Sequence, residues 1–166
     1  MSLVNDAADV DRLLDAADRK LARVRYCWLI TEGDGRNRPR PMGRLPRDPG
    51  DDPWTLRFLT DGQSPKAHDM RRRHRVSVVF QNDPEEVYAA LGGEASLIED
   101  KAEIGQRWLR RYEAYFPEGP DRSNAIFLSV DVDRIELWIR GVTPEPFGLN
   151  TTTLERDGAR RWRYRR

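Results

Sequence analysis

The chain is 166 residues long, enough for one domain that buries roughly two thirds of its unfolded surface and needs no disulfide to fold. Charged residues make up 34% of it, yet the formal net charge is +1, an even balance that argues against a protein built chiefly to bind nucleic acid. Cys27 is the single cysteine, which excludes a disulfide framework or a cysteine zinc site within one chain. No run approaches the roughly 20 apolar residues of a membrane span and no basic-then-apolar leader opens the chain, so a cytoplasmic protein is expected.

Asn5 to Ala22 places Val10, Leu13, Leu14, Ala17 and Leu21 on one face, with acidic residues early and Arg19-Lys20 late, which predicts an amphipathic N-terminal helix within residues 1–22. Val24 to Thr31 reads as a largely buried strand with Cys27 as a small core hydrophobe. Gly33-Asp34-Gly35 then turns the chain into an extended segment, Arg38-Pro39-Arg40-Pro41-Met42-Gly43. Pro39 and Pro41 delete two ladder donors on the same side. That fits either an edge strand or a stretch whose neighbour is a ligand.

A further strand, Trp54 to Thr60, ends in Phe58-Leu59-Thr60, turns through Asp61-Gly62 and opens a helix with Ser64 as N-cap, Pro65 at the first helical position and Lys66 in the first turn. A helix start already holds free N–H groups and the positive end of the dipole, so a lysine there is locally unfavourable unless an anion sits with it. The plain alternative is a solvated lysine; a phosphate would resolve the conflict. Arg71-Arg72-Arg73 falls at the helix's C-terminal end, where the dipole favours cations.

Arg75 to Gln81 and Glu86 to Ile98 read as strands, and Gly92-Gly93 predicts a bulge or sharp bend in the second. Asp100 with Glu103 has capping-box spacing. Ile104, Trp108, Tyr112 and Phe116 then recur every four residues, predicting one helix whose stripe serves the core or a subunit contact. Ala125 to Arg140 is a long strand with a bend expected at Asp131 to Arg134. Five or six mostly antiparallel strands with peripheral helices make a mainly β protein, a small barrel. Residues 141–166 form a C-terminal extension with a short strand near Leu149 to Glu155. Its basic aromatic tail, Arg160 to Arg166, reads as a solvated or frayed end before it reads as a nucleic-acid contact.

Conventional catalytic signatures are missing. The two histidines, His68 and His74, form no metal-ligand pair, and the chain lacks a nucleophile elbow, a Walker loop and a dinucleotide fingerprint. No residue is singled out as catalytic and no metal is expected; any chemistry would belong to a bound organic cofactor.

From about Asp6 to Trp138 the residues resemble the pyridoxamine 5′-phosphate oxidase-like flavin-binding split barrels, and within them the general stress protein branch. The pieces are Arg38-Pro39-Arg40-Pro41-Met42, Phe58-Leu59-Thr60-Asp61 with Ser64-Pro65-Lys66, Tyr88 to Ala95, Trp108 with Phe116-Pro117-x-Gly119, and Glu136-Leu137-Trp138. The resemblance implies a single domain over residues 1–166, a six-stranded antiparallel split β-barrel with flanking helices. It further implies a homodimer with an FMN at each end of the subunit interface. Arg38, Pro39, Arg40, Pro41 and Met42 would line the isoalloxazine ring and ribityl chain. Thr60, Ser64 and Lys66 would hold the phosphate, with Leu59 beside them, Tyr88 near the flavin, and Trp138 near the flavin of the partner subunit.

Two departures bear on activity. Tyr88 stands where the true oxidases place a glutamine, and the Arg-Leu-x-Pro type ending that serves their phosphorylated substrate is missing. The expectation is therefore an FMN-binding, oxidoreductase-like protein of unknown small-molecule substrate, not a genuine pyridoxamine 5′-phosphate oxidase. A flavin-buffering stress protein without a dedicated substrate and a deazaflavin-dependent reductase are the alternatives. Haem is least supported, because neither histidine has a ligand-like setting. Neither a nucleic-acid partner nor a membrane is expected.

Overall fold

The computed structural model describes residues 3–165. Helix α1 (Leu3–Leu21) buries Val10, Leu13, Leu14, Ala17 and Leu21 against the sheet and ends on Arg19 and Lys20, as its periodicity dictates. Strand β1 (Tyr26–Gly33) alternates cleanly: Cys27, Leu29 and Thr31 point into the core, and Tyr26 and Trp28 point out. Asp34 and Gly35, both at positive φ (53° and 69°), form the tight turn that twists β1 into β2 (Arg36–Gly43). All eight residues of β2 pair with β1, and among the described residues no other strand forms a ladder with β2. It is an edge strand, where prolines cost no interior ladder bond.

The remaining strands are β3 (Thr55–Asp61), β4 (Arg75–Asn82), β5 (Val87–Ile98), β6 (Ala125–Ile139), β7 (Thr152–Arg156) and β8 (Trp162–Tyr164). They make one antiparallel sheet in the order β2-β1-β4-β5-β6-β7-β8, with β3 on the first half of β6. Strand β6 is the spine. It pairs with β5 along its length, with β3 through Ala125–Asp131 and with β7 through Arg134–Leu137. The sheet curls without closing. Where β2 runs out, the Leu45 N–H donates to the Arg57 carbonyl of β3 at 2.8 Å. The six expected strands are β1 to β6, and the β7–β8 hairpin lengthens the same sheet.

The glycine pair and the bend expected in β6 are one feature. Gly92 faces Arg134 and Gly93 faces Val132, leaving Asp133 as the extra residue of a bulge. Asp133 then pairs with Arg75 of β4, across β5.

Two expectations fail. The stripe from Ile104 to Phe116 is not one helix: α3 (Lys101–Arg107) stops at Trp108, which is extended, and the chain continues as a 3₁₀ turn (Arg110–Ala114) and the short α4 (Gly119–Arg122). Gly105 weakens the helix near its end. The aromatic residues still meet, with Trp108 edge-on to both Tyr112 and Phe116 and Tyr112 edge-on to Phe127 of β6. Their burial around the sheet's end outweighs helix continuation. Nor is the basic tail frayed. In β8, Trp162 packs edge-on to Trp54, Tyr164 donates to Asp9 of α1, and Arg160, Arg161, Arg163 and Arg165 pair with Asp131, Asp157 and Glu155. Trp162 and Tyr164 find their partners in Trp54, just before β3, and in Asp9 of α1, contacts between distant segments.

No helix among the described residues is long and apolar enough to cross a membrane.

Candidate functional site

Helix α2 (Pro65–Arg72) begins as its sequence dictates. Ser64 is the N-cap, its Oγ accepting from the Ala67 N–H at 3.4 Å, and Pro65 fills a position whose N–H would be orphaned. The preceding turn is tied by Asp61, which accepts from the Gln63 N–H through its side chain (2.7 Å) and from the Ser64 N–H through its carbonyl (3.1 Å). Among the described residues, the Lys66 N–H meets no acceptor and no carboxylate lies within ion-pairing distance of the Lys66 side chain. Lys66 is half-buried; burial first, then the charge of Arg40, push its pKa below the ordinary lysine value, while Asp61 partly opposes them.

Strand β2 supplies the other cations by simple alternation. Arg38, Arg40 and Met42 lie on the inner side, opposite Thr31, Leu29 and Cys27, and Pro39 and Pro41 lie on the outer side, opposite Ile30 and Trp28. Arg40 donates through Nη1 to the Thr31 hydroxyl (2.9 Å), and Arg38 donates to Asp34 in the turn (2.8 Å). Beneath both lies Asp69, which the sequence reading missed. Its side chain is 6% exposed, it accepts from the Thr31 hydroxyl at 2.9 Å, and it stands 3.6 Å from Arg38 and 3.7 Å from Arg40. The signal was its spacing: Asp69 is three residues after Lys66, on the same helix face.

The expected site residues therefore separate. Arg40 lies beside Lys66, which follows Ser64 at the start of α2, and Arg38 joins Arg40 through Asp69 one turn along the helix, with Thr31 behind them. Thr60, buried near the end of β3, leads into the same turn. Leu59 points the opposite way, into a second apolar cluster with Ile104, Tyr112, Ile126 and Phe127, so only its backbone is available to a ligand. Met42 packs against the main core and its carbonyl is a long acceptor for Cys27 Sγ at 3.6 Å. Burial raises the Cys27 pKa to about 11, so the thiol is inert at neutral pH.

Tyr88 and Trp138 pair with each other on the outer face of β5 and β6. By register they lie about five residues, roughly 16 Å, along the strands from the Thr31 level. Within one chain they are not brought to the cationic cluster. Tyr88 instead donates to Asp83 (2.9 Å) and leans on Phe147. The outer face they occupy continues through Ala90 and Val79 to Trp28, Tyr26, Pro39 and Pro41, with Tyr26 56% and Trp28 45% exposed.

The arrangement can hold a dianion: three cations, an uncapped N–H and a helix dipole converge with one buried carboxylate among them. No metal-ligating cluster is found among the described residues. Solved structures share the fold at low identity. A protein related to general stress protein 26 of Bacillus subtilis, from Clostridium acetobutylicum, superposes with a TM-score of 0.70 at 17% identity, covering 87% of this chain and 95% of that one. A pyridoxamine 5′-phosphate oxidase-related, FMN binding protein from Nostoc punctiforme gives 0.68 at 18%, covering 95% and 94%. PhzG from Burkholderia lata, in complex with tetrahydrophenazine-1-carboxylic acid, gives 0.65 at 18%, covering 93% and 88%. No curated protein sequence matches the chain. The sequence profile described as pyridoxamine 5′-phosphate oxidase like matches residues 14–148, from the middle of α1 to the loop before β7, and so the chain belongs to that family.

Proposed function

We propose that this chain is a cytoplasmic FMN-binding oxidoreductase-like protein that holds the FMN phosphate at the start of α2. The observation that carries the reading is Lys66, a half-buried lysine with a second cation beside it and, among the described residues, no carboxylate within ion-pairing distance. Lys66, Arg38 and Arg40 would neutralise the phosphate, Ser64 and Thr60 would offer hydroxyls, and the Lys66 N–H would donate along the dipole. A bound flavin would supply the redox chemistry. The chain's own part is to bind, orient and neutralise, and no side chain at the cluster is placed as a general acid or base. Pyridoxamine 5′-phosphate is not assigned as the substrate, since Tyr88 stands where the oxidases place a glutamine.

The test is a titration of the flavin-free protein followed by flavin fluorescence. FMN is expected to bind at least about tenfold more tightly than riboflavin, which lacks the phosphate. Equal affinities would remove the phosphate from the reading. A deazaflavin bearing a phosphate is the second reading, because the cluster recognises the phosphate and not the ring; a parallel titration decides between them.

The reading includes a homodimer. Tyr26, Trp28, Pro39, Pro41 and Trp138 form one outward face whose exposure is costly for an isolated chain, and a partner lying on it would bring its Tyr88 and Trp138 surface toward β2. Light scattering at micromolar concentration is expected to return twice the chain mass. A monomer with flavin bound would refute this part.

A further inference from the structure

We infer that Asp69 is the built-in counter-ion of the cationic cluster: it holds the empty site together and its charge limits how tightly a phosphate dianion binds. The inference rests on the phosphate reading above. Four observations carry it.

First, Asp69 contributes charge more than orientation. Arg38 and Arg40 lie 3.6 and 3.7 Å away, within ion-pair reach and outside the 2.7–3.2 Å of an N–H···O bond. Their orientation comes from elsewhere, Arg40 from the Thr31 hydroxyl and Arg38 from Asp34, each by a true hydrogen bond. Both guanidinium groups keep donors free for a ligand. Second, the one hydrogen bond that the Asp69 carboxylate accepts among the described residues, from Thr31 at 2.9 Å, needs only an oxygen and not a charge.

Third, the fold makes room for this carboxylate. A Cβ at Gly33 would stand 2.4 Å from Asp69 Oδ1, and Gly33 is not at positive φ, so the packing of Asp69 and not the turn requires glycine there. Fourth, the cluster needs a counter-ion and still keeps an excess of positive charge for an anion. Arg38, Arg40 and Lys66 carry three positive charges, and the carboxylates of Asp69 and Asp34 offset two of them. Without Asp69 the two arginines would lose the buried carboxylate they share, beside a half-buried lysine whose pKa is already lowered by burial and Arg40.

Asp69→Asn separates charge from shape, because it keeps an acceptor for Thr31 and the same volume. At the effective dielectric of a partly buried site, removing one negative charge a few ångströms from a dianion favours the dianion by about tenfold or more. The variant is therefore expected to melt below the wild type in phosphate-free buffer, to gain more from added inorganic phosphate, and to bind FMN about tenfold more tightly. Its riboflavin affinity should not change.

A residue that merely positioned the arginines would give the opposite sign. FMN affinity equal to or below wild type, or a riboflavin shift of the same size, overturns the inference. Folding only in the presence of phosphate supports it; insolubility with and without phosphate overturns it. If the wild type binds neither FMN nor phosphate, the functional reading fails and takes this inference with it. If the wild type binds FMN and the asparagine variant gains nothing, only the role of Asp69 falls.

Discussion

Gly93→Ala is expected to destabilise the protein by about 3 kcal/mol, lowering the melting temperature by roughly 6 to 12 °C. Gly93 is buried in β5, facing Val132 at the bulge that expels Asp133 from the ladder. A Cβ there would lie 2.4 Å from the Asp131 carbonyl oxygen and 2.9 Å from its carbon, and backbone of the spine strand cannot step aside as a side chain can. Gly92→Ala is the control. Its Cβ would meet Arg75 Nη2 at 3.0 Å, the movable end of an exposed side chain, so the cost should stay within about 1 kcal/mol and the lost unfolded-state entropy partly offsets it. Urea unfolding of both variants measures the difference. Equal, small costs would mean that the bulge is soft and that glycine at 93 is not required by the close approach of β6.

The bulge also shows why parts of this fold were legible. Gly92-Gly93 and the Asp131 to Arg134 bend were separate hints in sequence, and register makes them one device, because each strand carried its own local signature. The Ser64-Pro65 start of α2 and the alternation of β1 were equally local. What failed was non-local. Nothing between Lys101 and Phe116 states that Tyr112 must reach Phe127, so a four-residue rhythm looked like one helix. Trp162 and Tyr164 looked solvent-bound because their partners, Trp54 and Asp9, lie more than a hundred residues away.

The site divides along the same line. Lys66 stands out in sequence because its conflict with the helix dipole is written within three residues, and Arg38 and Arg40 because Pro39 between them and Pro41 after them mark the strand. Asp69 and Thr31 were not recognised, since a buried aspartate and threonine look ordinary until β1, β2 and α2 are packed together. Tyr88 and Trp138 were named by resemblance, and the strand register places them on the outer face, away from the cluster of their own chain. In the proposed homodimer they would reach the site from a second copy.

Lys66→Ala is expected to weaken FMN binding roughly ten- to hundredfold, the loss of one charge-assisted contact of about 1.5 to 3 kcal/mol, while the flavin-free fold stays intact. The second half of that expectation follows from what Lys66 does not do: it makes no ion pair or hydrogen bond among the described residues that its removal would break. Burial and the neighbouring Arg40 disfavour its charge, and the positive end of α2 does so again, so the empty protein should melt at the same temperature or slightly higher. A bound phosphate would reverse that balance. It also fixes a pH dependence: wild-type FMN affinity should fall as pH rises through the lowered Lys66 pKa, sooner than an ordinary lysine would dictate, and the alanine variant should lack that fall. Riboflavin is the discriminating ligand, because it presents the same ring and ribityl chain without the phosphate. Its weaker affinity should be nearly indifferent to the substitution. Equal losses for FMN and riboflavin would place Lys66 away from the phosphate, and unchanged FMN affinity would leave it a solvated lysine at an inconvenient helix end.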